Sequence, residues 1–417
     1  MESPLIYNLY PRLVGQLGTW ASHGRRAQQM GFDWIFVNPI QYPGFSGSLY
    51  AVKDFYRLNP LFIPPQTSAP METLRQTLEE LHGLGLKVML DLVVNHTSKD
   101  CELIREHPKW FRWDEHGDVA SPSAIDPADA RKVTVWGDLA EVDNAGSADR
   151  PGLWAYWTAV VQYYLDLGFD GFRCDAAYKV PSRLWEQLIG AARKRRPSTL
   201  FVAETLGCRL AEVRGVRSAG FDYLFNSSKY WSFDAPWCLQ QHEEFGAIAP
   251  SIAFPESHDT PRLMEETGGQ VQVLKQRYAF AAVFSAGLML PVGYEYGFRR
   301  RLNVVHTLPE HWEESELDLS AFISRVNALK RSTPVLAAEG HFEVVTSLDQ
   351  PTLVLRKTEA GMDPVLVVIN KDWHQPQRCP LTARQGRIVR PFADAPPAPL
   401  PEGALELEPA EVVLVLL

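Results

Sequence analysis

Residues 169–175 read Phe-Asp-Gly-Phe-Arg-Cys-Asp. Up to Cys174 the run has the length and aromatic character of a short buried strand, and it stops on a carboxylate. A helical pattern precedes it at 154–167 and another follows at 182–194. Seven more such runs lie at 5–9, 34–37, 88–94, 200–203, 220–224, 252–254 and 288–292, with helical patterns such as 71–84 and 319–329 between most of them. Strands that alternate with helices form parallel sheets, because a parallel crossover has room for a helix. Eight such units predict an α/β chain built on a closed (β/α)8 TIM barrel. A doubly wound sheet is the rival, but no Gly-x-Gly-x-x-Gly opens a helix here.

Two segments break the alternation. Residues 97–151, after the third strand, are rich in turn residues and too long for an ordinary strand-to-helix loop, which predicts a small excursion domain on the barrel's C-terminal rim. After Arg331 the pattern turns to strands alone, at 341–346, 352–357, 364–370 and 410–417. This predicts a C-terminal antiparallel β-sandwich over 332–417, with proline-rich 391–401 as loop. The barrel itself then takes 1–96 and 152–331.

Composition narrows the function classes. The chain has 417 residues, 46% of them hydrophobic and 22% charged, which suits a large core and excludes disorder or fibrous repeats. Lys and Arg total 41 against 50 Asp and Glu, a net charge of −9 with no basic stripe, which argues against nucleic-acid binding. A neutral or cationic small substrate fits better. The five cysteines, Cys101, Cys174, Cys208, Cys238 and Cys379, include no Cys-x-x-Cys pair, so neither a zinc site nor a disulfide scaffold is indicated, and reduced thiols in a cytoplasmic protein are expected. The start, MESPLIYNLYPR, lacks the charged and apolar regions of a secretory signal. The most apolar stretch, 278–293, is broken by Ser285, Gly287 and Pro291 and is shorter than the roughly 20 residues of a membrane span, so it reads as a buried helix followed by a buried strand. Oligomeric state is not legible. The 12 Trp either fill a large core or present flat faces to a ligand.

Chemistry-bearing residues collect where the strands end. The third run carries Asp91, Asn95 and His96, the fourth Arg173 and Asp175, the fifth Glu204, and the seventh Glu256, His258 and Asp259. In a barrel, C-terminal strand ends form the active-site face. Singly, each Asp reads as a helix cap and each His as a solvated loop residue. Three carboxylates, an arginine and two histidines at successive ends do not read as caps.

In this order the residues resemble the α-amylase family, glycoside hydrolase family 13. DLVVNH (91–96), GFRCD (171–175), the Glu of VAETLG (202–207) and ESHD (256–259) look like its four defining regions. NLYPR near the start, GSLYAVKDF (47–55) with Tyr50 and Asp54, and WGDLAEVDN (136–144) are weaker similarities, so the likeness spans about 4–300. It implies a retaining enzyme acting on α-1,4-linked gluco-oligosaccharides, with Asp175 as nucleophile, Glu204 as acid/base and Asp259 as transition-state stabiliser. His96, His258 and Asp54 would contact substrate. Tyr50 would stack on the reacting ring, Arg173 would hold Asp175 ionised, and Asp91 would orient Arg173. Such a mechanism needs a protonated Glu204, hence a raised pKa. Trp110, Phe111, Trp113 and Trp136, with Tyr42 and Phe45, are expected to wall the cleft. No cofactor is required; a calcium ion near Asn95 is possible but not assignable. Glu204 is followed by Thr-Leu-Gly-Cys, where many amylases carry an aromatic residue nearby, which leaves the acceptor open. Transfer of glucosyl or maltosyl units, even from a sugar phosphate, is the alternative, and a non-catalytic carbohydrate-binding homologue is a third reading. No phosphate loop is evident.

Overall fold

A computed structural model describes residues 3–125, 131–383 and 385–417. Eight parallel strands close into a barrel: β1 (Leu5–Leu9), β2 (Trp34–Val37), β3 (Lys87–Leu92), β4 (Gly171–Cys174), β5 (Leu200–Ala203), β6 (Tyr223–Phe225), β7 (Ser251–Ala253) and β8 (Gly287–Pro291). Each pairs with its sequence neighbours, and β8 returns to β1 with Leu5 beside Leu288. A helix follows every strand: α1 (Trp20–Gln29), α2 (Pro70–Gly83), α3 (Arg150–Leu167), α4 (Ser182–Arg195), α5 (Leu210–Arg214), α6 (Trp237–Gly246), α7 (Val271–Phe284) and α8 (Ser320–Ser332). The α/β class and the eight strand–helix units therefore stand as expected.

Strand alternation builds two cores. Ile6, Phe36, Met89, Val202, Phe225, Ile252 and Met289 fill the barrel lumen, while Leu5, Ile35, Leu90, Phe172 and Leu288 face the helices. Both faces of each strand are covered, so the strands read as nearly continuous apolar runs. Local signals set the helix ends. Asp149 caps α3, accepting from Gly152 N at 3.3 Å, and Pro lies in its first turn. Gly171 allows β4 to approach β5: a Cβ there would lie 2.6 Å from Leu200 O.

Two long loops stand on the C-terminal rim. After β2, the hairpin Gln41–Pro43 with Val52–Leu58 leads to α2; it had no counterpart in the sequence reading. After β3, two small antiparallel pairs form, His96–Ser98 with Leu139–Glu141 and Ser123–Ile125 with Val133–Val135. Residues 126–130 of the segment lie outside the described residues.

The C-terminal strands are β9 (His341–Val344), β10 (Thr352–Thr358), β11 (Val365–Asn370), β12 (Gln377–Pro380), β13 (Arg387–Val389), β14 (Ala398–Pro399), β15 (Ala404–Leu407) and β16 (Val412–Leu416). Six form an antiparallel sheet in the order β9-β10-β11-β16-β13-β14, and β12 pairs with β15. Val354, Val368 and Val413 face that small second sheet, while Leu355, Val367 and Leu414 belong to the same core as the barrel helices. One expectation is corrected here: 391–401 is not all loop. Pro399 pairs with Arg387 in β14, which is possible because β14 is the outermost strand and proline's missing N–H is lost on the solvent side.

Buried lysines tie the barrel floor to this sheet. Lys330 of α8 donates to Ala282 O, Ser285 O and Leu336 O at 2.5–2.7 Å. Lys357 of β10 donates to Val283 O at 2.9 Å and Ala338 O at 2.8 Å. Both amines thus satisfy carbonyls at the C-terminal end of α7, where the helix dipole favours positive charge while burial lowers the pKa of each, Lys357 to about 7. Lys330→Met leaves buried carbonyls without a donor and is expected to cost about 2 kcal/mol in urea unfolding with little change in turnover. An unchanged midpoint would contradict this role.

Among the described residues, no helix is long and apolar enough to cross a membrane. All five cysteines are free thiols.

Candidate active site

Strand register creates the central pair. In β4 and β5, Arg173 lies beside Val202 and Cys174 beside Ala203. Glu204 N continues the ladder by donating to Cys174 O at 3.0 Å. One residue further, Asp175 and Glu204 stand side by side on neighbouring strands, which are about 4.8 Å apart. Arg173 and Asp175 are two residues apart and so share a face, as do Val202 and Glu204; that face is the lumen.

Arg173 is the hub. It is 3% exposed, and such a charge persists only with partners. Its Nη1 donates to both Asp91 oxygens at 2.9 and 3.0 Å and to Asp175 Oδ1 at 2.7 Å. Asp259 Oδ2 lies 3.9 Å from Nη2. Burial pushes the Asp91 carboxyl up to about 6 against the opposing pull of Arg173, so the Asp91 charge is tolerated because the guanidinium is there.

Tyr50 joins the two sides of the cluster. Its hydroxyl donates to Asp91 Oδ2 at 2.7 Å and accepts from Asn38 Nδ2 at 3.0 Å. His258 Nε2 is also 2.7 Å from that oxygen. With the single phenol proton given to Asp91, the imidazole proton sits on His258 Nε2, which faces Asp259 Oδ2 at 3.1 Å as well. The rings of Tyr50 and His258 stack at 5.8 Å with 8° between planes. Asp259 carries the opposite balance from Asp91. Burial would raise it, but His258, Arg173 and Arg301 together bring it down to about 2, and half of its side chain still reaches solvent.

Glu204 is held by backbone. Oε2 accepts from Ala176 N at 3.1 Å and Oε1 from Leu206 N at 3.2 Å. Burial, reinforced by Asp175 and Asp259 and opposed by Arg173, pushes it up to about 7. A proton is thus retained near neutrality, as acid chemistry requires. Ala176 reaches Glu204 from a left-handed backbone, φ 43°, a conformation that costs a non-glycine residue about 1 kcal/mol or more and is kept where the surroundings impose it.

His96 is buried, and its pKa is lowered by that burial. Nδ1 lies 3.5 Å from Asn95 Nδ2, and Nε2 is buried without a partner. A neutral ring that accepts at Nδ1 carries its proton on Nε2, ready for a ligand oxygen.

The structure thus brings together Asp91, Arg173, Asp175, Glu204, His258, Asp259 and Tyr50, with His96 close enough to feel the Asp175 charge. It does not bring Asp54. That carboxylate accepts from Tyr56 N at 2.9 Å and lines a different cavity, because it lies in the hairpin strand beyond the loop that carries Tyr50. Two expected wall residues are also corrected: Trp110 and Phe111 are 5% and 4% exposed and belong to the main core. The indole of Trp110 donates to Asp149, the α3 cap, at 2.9 Å. Trp113, Trp136 and Phe45 remain exposed. Unforeseen contributors are Asn38, Ala176, Leu206 and Asn8, whose amide donates to Asn38 Oδ1 at 2.8 Å. Asn8 and Asn38 stand at strand ends like the others, but a lone Asn there carries no distinctive pattern. Among the described residues, no group of three or more His, Cys, Asp or Glu is placed to hold a metal ion.

Residues 1–111 match the model of the glucanotransferase domain of glycogen debranching enzyme. Over 94% of its length the chain is 26% identical to an alpha-1,4-glucan:maltose-1-phosphate maltosyltransferase of Burkholderia pseudomallei, covering 36% of that protein. It is 22% identical to a maltogenic alpha-amylase of Bacillus acidopullulyticus, over 86% of this chain and 63% of that one. The chain therefore spans between about a third and two thirds of these relatives. Among solved structures, an alpha-amylase from Lactobacillus plantarum superposes with a TM-score of 0.79 at 21% identity, covering 99% of this chain and 98% of that one. An alpha-amylase from H. orenii gives 0.78 at 16%, with both chains covered completely.

Proposed function

We propose that this chain, which belongs to the α-amylase family (glycoside hydrolase family 13), cleaves α-1,4-glucosidic bonds with retention through a covalent glycosyl-enzyme. The observation that carries this reading is the pairing of Asp175 and Glu204 on adjacent strands, one bonded to Arg173 and the other pushed up to about 7. Retaining glycosidases need two carboxyl groups about 5–5.5 Å apart, one ionised and one protonated.

In the first step an Asp175 oxygen attacks the anomeric carbon as that carbon's bond to the glycosidic oxygen breaks. Glu204 gives its proton to that leaving oxygen. In the second step Glu204, now a carboxylate, takes a proton from water or a sugar hydroxyl, whose oxygen displaces Asp175. Two inversions give net retention. Asp259, His258 and His96 hold hydroxyls of the reacting sugar, bonds that matter most where the ring flattens. Tyr50 offers its ring to that sugar. Its hydroxyl and Asp91 keep Arg173 in place.

The general acid must be protonated, so its contribution is present below its pKa and lost as pH rises through it. The expected result is a basic limb of kcat/KM near pH 7 that falls about tenfold per unit. A limb lying above pH 9 would assign the acid elsewhere. The reading itself is tested with maltoheptaose: the first product seen by NMR is expected to be the α-anomer. An initial β-anomer would overturn double displacement.

Transfer is the second reading, favoured by the match of 1–111 to a glucanotransferase domain and by the maltosyltransferase relatives. It shares every step up to the choice of acceptor. Maltoheptaose alone discriminates: oligomers longer than the donor mean transfer, and shorter sugars only mean hydrolysis.

A further inference from the structure

Asn8 Oδ1, the Tyr10 hydroxyl and His258 Nδ1 are each buried with no hydrogen-bond partner among the described residues. They lie on one side of the cluster around Arg173. The backbone at Tyr10 is still extended, φ −79° and ψ 105°, so Tyr10 continues the alternation of β1 and shares the lumen face of Asn8, two residues earlier. Its ring lies over that of His258 at 6.2 Å with 26° between planes, and it feels the Asp259 charge. None of the steps at Asp175 and Glu204 uses Tyr10.

The neighbours fix what each atom offers. Asn8 Nδ2 donates to Phe36 O at 3.1 Å and to Asn38 Oδ1 at 2.8 Å, which leaves its carbonyl oxygen as an acceptor. His258 carries its proton on Nε2, which faces the Tyr50 hydroxyl and Asp259, so Nδ1 is an acceptor too. Tyr10 is a donor: burial and the Asp259 charge push its pKa up, and the phenol keeps its proton. The two guanidinium groups that act on Tyr10 turn donors elsewhere, Arg12 to Thr307 O and Gly47 O and Arg262 to Glu256, Val292 O and Arg300 O. Two acceptors and one donor are the complement of a water molecule, which gives two protons and takes one. Buried waters typically make about three such bonds to groups that would otherwise be unsatisfied.

We infer that one buried water bridges Tyr10, Asn8 and His258 Nδ1, and that Tyr10 is thereby a positioning residue that keeps the His258 Nε2–H turned toward Asp259 and the reacting sugar. Without the bridge, nothing holds Nδ1 free of the proton. A proton on Nδ1 sets the Nε2 lone pair against the Asp259 carboxylate at 3.1 Å, and the sugar hydroxyl loses its donor. The effect on turnover rests on the glucan reading above; the effect on the imidazole does not. Tyr10→Phe keeps the ring and removes the donor. Nitrogen NMR of histidine-labelled protein near pH 8, with His258 assigned by its loss in His258→Gln, reads which nitrogen carries the proton. The expected result is a protonated Nε2 and a hydrogen-bonded, unprotonated Nδ1 in the unaltered protein, and a protonated fraction at Nδ1 in Tyr10→Phe. Turnover of maltoheptaose is expected to fall about fivefold or more in kcat with KM within about twofold, because the lost bond matters most in the transition state. A merely structural role would lower the unfolding midpoint alone. Unchanged nitrogen signals overturn the inference whatever the rate. A crystal structure of the unaltered protein in which no water touches all three atoms overturns it as well, whether or not the variant folds. If the unaltered protein cleaves no α-glucan, the functional reading falls, and the nitrogen signals still decide the bridge.

Discussion

The Asp175→Asn variant is expected to fold normally and to lose roughly four orders of magnitude in turnover of maltoheptaose. An amide is nearly isosteric with the carboxylate, and Arg173 keeps its two bonds to Asp91 at 2.9 and 3.0 Å, so the site's frame survives. What disappears is the nucleophile. Without it no glycosyl-enzyme forms, and Glu204 has a leaving group to protonate but no attacking group opposite. Far-ultraviolet circular dichroism and the unfolding midpoint check the fold; steady-state release of reducing ends checks the rate. Retention of more than a hundredth of wild-type turnover would remove Asp175 from the nucleophile's role. In a truncated Asp175→Gly variant, rescue by azide with inversion of the product anomer would support the assignment independently, since a small anion can then attack from the vacated side.

The second large effect concerns stability and activity together. Asp91→Asn is expected to cost about 3 kcal/mol in urea unfolding and at least tenfold in kcat. Arg173 is nearly inaccessible, and among the described residues Asp91 is its only partner bonded through both oxygens. Removing that charge leaves a buried guanidinium balanced mainly by Asp175, whose lone pairs are then drawn toward Arg173 and away from attack. The figure sits at the lower end for a broken buried pair because the Asp175 bond remains. The carboxamide still accepts from Tyr50, so loss of that hydrogen bond is not the cause. An unchanged unfolding midpoint would show that Arg173 is held by other means.

Much of this arrangement was legible in the chain. The strand-and-helix alternation gave the barrel because each barrel strand is covered on both faces, which leaves short apolar runs of the kind at 34–37 and 200–203. The carboxylates stood out because they interrupt such runs at their C-terminal ends. The excursion after β3 was visible from its length and turn residues. Less visible was the hairpin after β2, whose strands alternate weakly and carry a register shift. Strands β12, β13 and β15 were missed because they are short, partly exposed and interrupted by charge. Trp110 and Phe111 were misread as cleft walls, since an aromatic residue in a loop carries no sign of whether it turns inward.

Sequence order alone settled which residues reach the barrel's C-terminal face, because strand direction and the two-residue period follow from covalent chirality and local sterics. It could not settle which of those residues meet. Asp54 lies four positions from Tyr50 yet belongs to another cavity, whereas Tyr50 and His258 are 208 positions apart and share a hydrogen bond. That distinction arises only on closing the barrel, when eight strand ends are brought to one rim: burial raises both carboxyls, and the neighbouring charges it assembles, His258, Arg173 and Arg301 around Asp259, separate Glu204 near 7 from Asp259 near 2.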